Sequence, residues 1–596
     1  MKKSLSIVIL ALVALVSIVA LVACETMQSY DMSGVTFTDK TVTYDGTAKT
    51  LTVSGKLPDG VAVAYEYFSG ETKLESAPVN AGTYKVVAKF TGDEKHKPID
   101  DKTATLTIAK ANLEIVLGAN FEVTDDNPNK ELEEPILFTK HEDGSFSHEY
   151  DGKKYKIDVV SSNADVDNLT VRCYTELNDD GSVVESSRTD LYLSSAMGSA
   201  IYVQVTMNDD DPNFNSTSVL TSLTVTKRVV EISNAEELQK LRTEIDGVSL
   251  DLRKNTKYVL TADVDLNGAV WQTVGTVIAS AESADFHGEF DGQGHAIRNF
   301  VINELSVAAE NANHGGGIAL GFFGVLAEAS VHDVVFADVT VELTLEKLEE
   351  RGFTYQWTDN WGGTILNPIY FGLVAGRVQT VGNSVIENVT VDGLDVKIDA
   401  YKVYAAAFVG CDKAYVPESD GSTVRKNLVA NDVSIFVLQH KSPLDKTPAY
   451  VEIGVLAGEL NADNGKSIIF EDCHASNVTL ISGNDSLTDF NYESWVGGLI
   501  GSTRQDHSGL KNCSIENFRI ENWTNSTHVG VFCGYDNNGK NPFDVVGCSA
   551  KNGDDSQLEE SKKYGVFNYT YDSDSQQWTK TAVDWQSTLP QDPQED

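Results

Sequence analysis

Six copies of one short pattern run through the second half of the chain. They are Gly321-Phe322-Phe323-Gly324, Gly372-Leu373-Val374-Ala375-Gly376, Ala407-Phe408-Val409-Gly410, Gly454-Val455-Leu456-Ala457-Gly458, Gly498-Leu499-Ile500-Gly501 and Gly530-Val531-Phe532-Cys533-Gly534. Their closing glycines stand 52, 34, 48, 43 and 33 residues apart. Self-similarity at such a period marks a solenoid, in which one repeat buries its apolar face only by stacking on the next. A second strand follows each copy: Val331 to Val335, Ile386 to Thr390 and Val424 to Leu428 in the first three, and Ile469 to Cys473, Leu510 to Cys513 and Val545 to Cys548 in the last three. A further Asn or Asp comes shortly after, at Asp338, Asn431, Asn477 and Asn517. These residues tolerate the left-handed bends that a coil needs where it turns between faces. The pattern predicts coils of three short strands stacked about 4.8 Å apart, with the uneven spacing taken up by loops at the corners. Cys473, Cys513 and Cys548 share one slot, which predicts a buried, reduced ladder on an internal face.

Ser233-Asn234-Ala235-Glu236 reads as a capping box opening an apolar stretch from Leu238 to Leu241. One short amphipathic helix here would cover the open end of the solenoid. Downstream lie Tyr258 to Leu266, Trp271 and Phe286-His287-Gly288-Glu289-Phe290-Asp291-Gly292-Gln293-Gly294-His295. Together with the glycine-flanked strands, this stretch resembles the pectin-lyase-like, right-handed β-helix modules that carry GLUG motifs in bacterial surface proteins. The resemblance covers residues 229–550. It implies the fold and no single activity, because that fold hosts lyases, hydrolases, adhesins and phage tailspikes.

Residues 34–110 alternate apolar and polar in short runs: Val35 to Phe37, Thr41 to Tyr44, Leu51 to Val53, Val61 to Tyr65, Tyr84 to Val87 and Ala104 to Ile108. Asp45-Gly46, Pro58-Asp59-Gly60 and Asn80-Ala81-Gly82 punctuate them as turns. Six or seven short strands in so short a stretch predict a β-sandwich. Tyr44-Asp45-Gly46-Thr47, Pro78 to Tyr84 and Leu106-Thr107-Ile108-Ala109-Lys110 also resemble the bacterial Ig-like modules called MBG or YDG domains. Residues 111–228 read as a longer, diverged second copy that closes on Leu223-Thr224-Val225-Thr226-Lys227. Its run Asp209-Asp210-Asp211 offers oxygens to calcium, yet a solvated loop is the expectation there, and no cofactor is assigned.

At the N-terminus, Lys2 and Lys3 precede an apolar run from Leu5 to Ala23 that ends on Cys24. This is a secretory signal. Leu21-Val22-Ala23-Cys24 resembles the bacterial lipoprotein box, which implies lipidation at Cys24 and export to the cell envelope. Lys and Arg number 46 against 88 Asp and Glu, a formal charge of −42, so a basic footprint for nucleic acid is missing.

The expected organisation is therefore all-β: signal peptide 1–23, tether 24–33, two Ig-like β-sandwiches at 34–110 and 111–228, a right-handed parallel β-helix with a short N-terminal capping helix at 229–555, and a C-terminal hairpin or cap with a disordered tail at 556–596. No catalytic residue and no metal site is assigned. Asp263 and Asp265 share a strand face near His295 and Arg298, but such aspartates usually end strands and bind turn amides. The recognition candidate is the insertion at 345–370, where Tyr355, Trp357 and Trp361 can stack on sugar faces or anchor a protein. Residues 400–415, with Tyr401, Tyr404 and Tyr415, form a second aromatic group. The expected function is a non-catalytic, lipid-anchored surface protein. It would bind a glycan or a cell-surface partner through β-helix loops. A β-helix polysaccharide lyase or glycoside hydrolase is the alternative, and a structural envelope spacer the third.

Overall fold

The computed structural model describes residues 27–189, 192–193, 200–275, 285–307, 317–358, 363–379, 384–413, 423–444, 449–461, 467–483, 492–504, 508–522, 528–536, 543–551, 553, 567–572 and 577–582. The signal sequence, Cys24, Trp361, Tyr415 and the C-terminal tail lie outside the described residues. The chain divides into two compact units, residues up to 148 with 153–225, and residues 149–152 with 226 onward. No helix among the described residues is long and apolar enough to cross a membrane.

In the first unit, residues 40–109 form a five-stranded sheet. Lys40–Thr43 lies parallel to Lys102–Ala109, followed in order by Gly82–Thr91, Ala62–Ser69 and Thr72–Lys73. Two of the expected strands, around Val35 and Leu51, make only an isolated bridge between Thr36 and Ser54. They lie across the sheet instead: Leu51 packs with Val86, Leu106 and Ile108, and Val35 with Ala88 and Phe90. The alternation of buried Tyr84, Val86, Ala88 and Phe90 along one strand provides that face.

The second module is a two-sheet sandwich. Ile115–Glu122 sits between Lys130–Leu137 and Tyr155–Ser162 in one sheet, with Tyr192–Leu193 at its edge. The other sheet orders Arg188–Thr189, Leu169–Tyr174, Ile201–Met207, Ser218–Thr226, Phe146–Glu149 and Thr139–Lys140. Every second residue of Ile201–Met207 is buried, as the strand period requires. Asp209 and Asp210 are exposed, and the Asp211 carboxylate accepts the Asn213 amide at 2.9 Å, so it closes a turn.

The second unit is a parallel β-helix. Two six-stranded parallel sheets run through all six glycine-flanked repeats. Fifteen further strands form a parallel sheet that starts at Arg228–Ile232, and two antiparallel pairs, Gln356–Thr358 with Thr364–Leu366 and Phe567–Asp572 with Gln577–Ala582, stand outside it. Helix Ala235–Gly247 adds Leu238, Leu241 and Ile245 to the same core as Tyr258 and Phe290. Its N-cap is Asn234, one residue later than the capping-box reading places it. The Asn234 side chain accepts the Glu236 and Glu237 amides, while Glu237, not Glu236, takes the Ser233 amide at 2.8 Å. A second short helix, Leu250–Lys254, follows.

Coils bend where the backbone enters the left-handed region. Asp333, Asn388, Asn427, Asp472 and Asn512 form one such column, with φ between 53° and 55°. A second column holds Asp338, Asp432, Asn477 and Asn517, with Gly393 in the same register. In the third coil the bend falls on Asp432 rather than the expected Asn431. Side chains link successive coils: Asn388 Nδ2 donates to Asp333 at 2.9 Å and Asn427 Nδ2 to Asn388 at 2.8 Å. Cys473, Cys513 and Cys548 stack as anticipated, all buried and free, with the Cys513 amide 3.3 Å from the Cys548 sulfur.

Candidate functional site

The two six-stranded sheets meet at the glycine pairs, and there is no room there for side chains. A Cβ on Gly376 would lie 2.4 Å from the Leu320 nitrogen, and one on Gly372 2.3 Å from the Ala375 carbonyl. Strand alternation then assigns each flanking residue a side. Ile369 and Phe371 enter the main core, whereas Tyr370 packs with Ala319 and Val325 in a separate cluster on the opposite face. Residues in register with Tyr370 and with Arg377 therefore face each other across a cleft outside the core. One wall carries Tyr370, Tyr404, Glu452 and Trp495. The other carries Arg377, Cys411, Glu459, Ser502 and Tyr535.

Two carboxylates meet inside this cleft. Glu452 and Glu459 are both buried and share the Arg504 guanidinium, whose Nη2 lies 3.0 Å from Glu452 and whose Nε pairs with Glu459. Ser502 donates its hydroxyl to Glu452, and the Cys411 thiol donates to Glu459 at 3.2 Å. Burial, reinforced by the Glu459 charge, pushes the Glu452 carboxyl up to about 8, against the pull of Arg504 and Ser502. Burial also works against the Arg504 charge, but the two glutamates outweigh it and raise its pKa. Aromatic rings line the walls: Tyr370 stacks on Tyr404 at 4.9 Å, and Trp495 on Tyr535 at 4.9 Å. Cations sit over these rings, with Arg377 5.7 Å from the Tyr370 centroid and Arg504 5.8 Å from that of Trp495. Sequence reading missed this site, apart from Tyr404 and Tyr370, the last residue of the 345–370 insertion. The available signal was a polar or aromatic residue two places before the first glycine of a repeat and one place after the last.

The insertion singled out from the sequence opens with helix Leu345–Glu350. Gln356–Thr358, which contains Trp357, pairs antiparallel with Thr364–Leu366. Tyr355 is half-buried against Leu366 and Ala449, with its ring 5.2 Å from that of Tyr401. Tyr401 in turn lies edge-on to His440, which pairs with Asp399. The bond to Asp399 raises the His440 pKa despite partial burial. The structure thus joins Tyr355 to Tyr401, from the second aromatic group, beside a partly exposed His–Asp dyad.

Asp263 and Asp265 lie beside His295 and Arg298, at 3.1 and 3.2 Å. Their carboxylates also take the Ala296 and Asn267 amides, a turn-closing role. Glu289, Asp291 and His332 cluster closely enough to offer three ligand atoms to a metal. Lys257 already lies 3.0 Å from Glu289 and 2.7 Å from Asp291, and Lys227 2.8 Å from Glu289. The bond to Glu289 raises His332 to about 9 despite burial. Both carboxylates of this cluster are thus already engaged by lysine ammonium groups.

Sequence comparison accounts for the first module. Residues 33–112 are an MBG domain. The MBG domain coincides with the five-stranded sheet and its covering segments. No curated protein matches the sequence. Among solved structures, an IgA1 protease aligns at 13% identity and a TM-score of 0.29, over 70% of this chain and 30% of that one. The chain thus spans under a third of that protein's length. A family 28 exopolygalacturonase of Yersinia enterocolitica aligns at 9% identity and a TM-score of 0.14, over 70% and 97% of the two chains. The catalytic domain of a GH87 α-1,3-glucanase in complex with nigerose aligns at 11% identity and a TM-score of 0.12, over 77% and 98%.

Proposed function

We propose that this chain is an exported surface protein, tethered by lipid at Cys24, that binds a glycan at a corner of its β-helix. The contact residues are Tyr355, Trp357 and Trp361, joined by Tyr401. The observation that carries the reading is the Tyr355–Tyr401 pair beside the Asp399–His440 dyad. Aromatic faces suit the apolar face of a sugar ring, and a nearby carboxylate and imidazole suit its hydroxyls. The MBG domain and the β-helix agree with a display role, in which regular coils carry variable loops at their corners.

The test is a glycan and matrix-protein array probed with the full chain and with Trp357→Ala/Trp361→Ala. Binding that disappears in the double variant supports the corner as the site. Undiminished binding removes it.

A hydrolytic reading draws on the Glu452–Glu459 pair, since acid–base cleavage of a glycosidic bond uses two carboxyl groups, one of them with a raised pKa as at Glu452. Glu452 has no contact with solvent, so a substrate reaches it only if the cleft opens. Release of reducing ends from a polysaccharide panel, lost in Glu459→Gln, would support this reading. The same release with Glu459→Gln would sink it.

A further inference from the structure

The outer edge of the cleft carries Arg377, Lys402 and Lys413, all half-buried. Tyr370 and Tyr404 are paired in register, and Lys402 lies two residues before Tyr404, hence on the same face. Arg377 is paired with Cys411, and Lys413 follows Cys411 by two. Cations therefore flank the Tyr370–Tyr404 stack: Arg377 lies 5.7 Å from the Tyr370 centroid and Lys402 5.8 Å from that of Tyr404. Lys402 also lies 5.4 Å from the Tyr450 ring.

This chain has 88 acidic residues, and carboxylates pair with lysine or arginine throughout both units. Among the described residues, none forms an ion pair with Arg377, Lys402 or Lys413. The Arg377 Nε is also buried without a hydrogen-bond partner. The two glutamates deeper in the cleft are already held by Arg504. Burial, and then the neighbouring Arg504 charge, lowers the Lys402 pKa, with the Glu452 and Glu459 charges opposing. A guanidinium with an unused donor, an ammonium and a second ammonium beside an aromatic floor match the needs of an oxyanion on an organic ring.

We infer that this edge of the cleft is an oxyanion site, in which Arg377, Lys402 and Lys413 take the carboxylate or sulfate groups of an acidic saccharide. A nucleic acid is the less suitable polyanion. Its evenly spaced phosphates call for a broad basic surface, and beyond these few cations the chain is strongly acidic. Lys402 follows Tyr401 of the corner in sequence, and strand alternation puts its side chain on the Tyr404 face.

The experiment measures binding of the full chain at low salt to dextran sulfate, polygalacturonate, uncharged dextran and a single-stranded oligonucleotide, with inorganic sulfate as competitor. Binding of either acidic polysaccharide but not of dextran is expected, and the preferred one identifies the group as sulfate or carboxylate. Arg377→Gln/Lys402→Gln should weaken it by about tenfold or more, as loss of charge-assisted hydrogen bonds does. Arg377→Lys/Lys402→Arg should restore most of it, which separates a charge effect from misfolding. Lys56→Gln/Lys95→Gln, which removes two exposed cations of the first unit, should leave it unchanged, which separates this site from a general loss of positive charge. The inference is overturned if the glutamine variant, melting like the parent, binds the acidic polymers equally well. It is also overturned if the oligonucleotide binds as tightly as they do, or if no acidic polymer binds at low salt.

Discussion

At Asn388 the backbone takes φ 53°, and the side chain both donates to Asp333 and accepts from Asn427. The same residue types recur at this bend because they alone, besides glycine, enter the left-handed region at little cost. Asn388→Ala should therefore destabilise the β-helix by about 1–2 kcal/mol, while Asn388→Gly, free of the Cβ clash, should lose less. Thermal melts of the two variants check this; equal losses would show that the ladder bonds matter and the backbone angle does not. A second residue-level feature lay beyond sequence reading. Arg425 occupies the internal slot that Phe470 and Leu510 fill in the next coils, and Asp412 the slot of Val378 and Leu460. The two pair bidentately inside the core, at 2.9 and 3.0 Å. Asp412→Ala strands a buried guanidinium and should cost about 3–5 kcal/mol, whereas Asp412→Leu/Arg425→Leu should recover most of that loss. A double variant as unstable as the single one would contradict a simple desolvated pair.

The glycine-flanked strand pairs show what was legible and what was not. Their apolar residues and glycines announced six stacked coils, and the Asn and Asp columns announced the bends. Tyr370 and Arg377, like Glu452 and Glu459, flank a single glycine repeat, but the two pairs were not legible as one site because they come into line only once the register between coils is known. In the MBG domain, the segments around Val35 and Leu51 looked like strands because they alternate, yet they cover the sheet rather than extend it. Apolar alternation specifies a buried face without specifying a hydrogen-bonded neighbour. Glu452 gives a pH test at this scale. Its pKa rises from an ordinary 4.5 to about 8 on folding, so its contribution to stability is fully present below pH 4.5 and is lost as pH rises through 8. Glu452→Gln should match the parent more closely near pH 5 and melt higher than the parent near pH 9. A parent with no stability loss between these values relative to Glu452→Gln would show that Glu452 is ionised in the folded state.

For the whole molecule, an MBG domain, a second sandwich and a β-helix lie in one chain, for which export and glycan binding are the proposal. Its formal charge of −42 keeps like molecules apart and biases recognition toward local contacts such as an aromatic corner. The most direct test compares adhesion to an immobilised glycan array by intact cells carrying the full chain, the Cys24→Ala variant or the Trp357→Ala/Trp361→Ala variant, with surface amounts matched by antibody for the parent and the tryptophan variant. The account predicts glycan-dependent adhesion by the parent, loss of surface chain and of adhesion in Cys24→Ala, and loss of adhesion at unchanged surface level in the tryptophan variant. Adhesion that survives the tryptophan substitutions, or a parent chain that antibodies do not reach on intact cells, would contradict it.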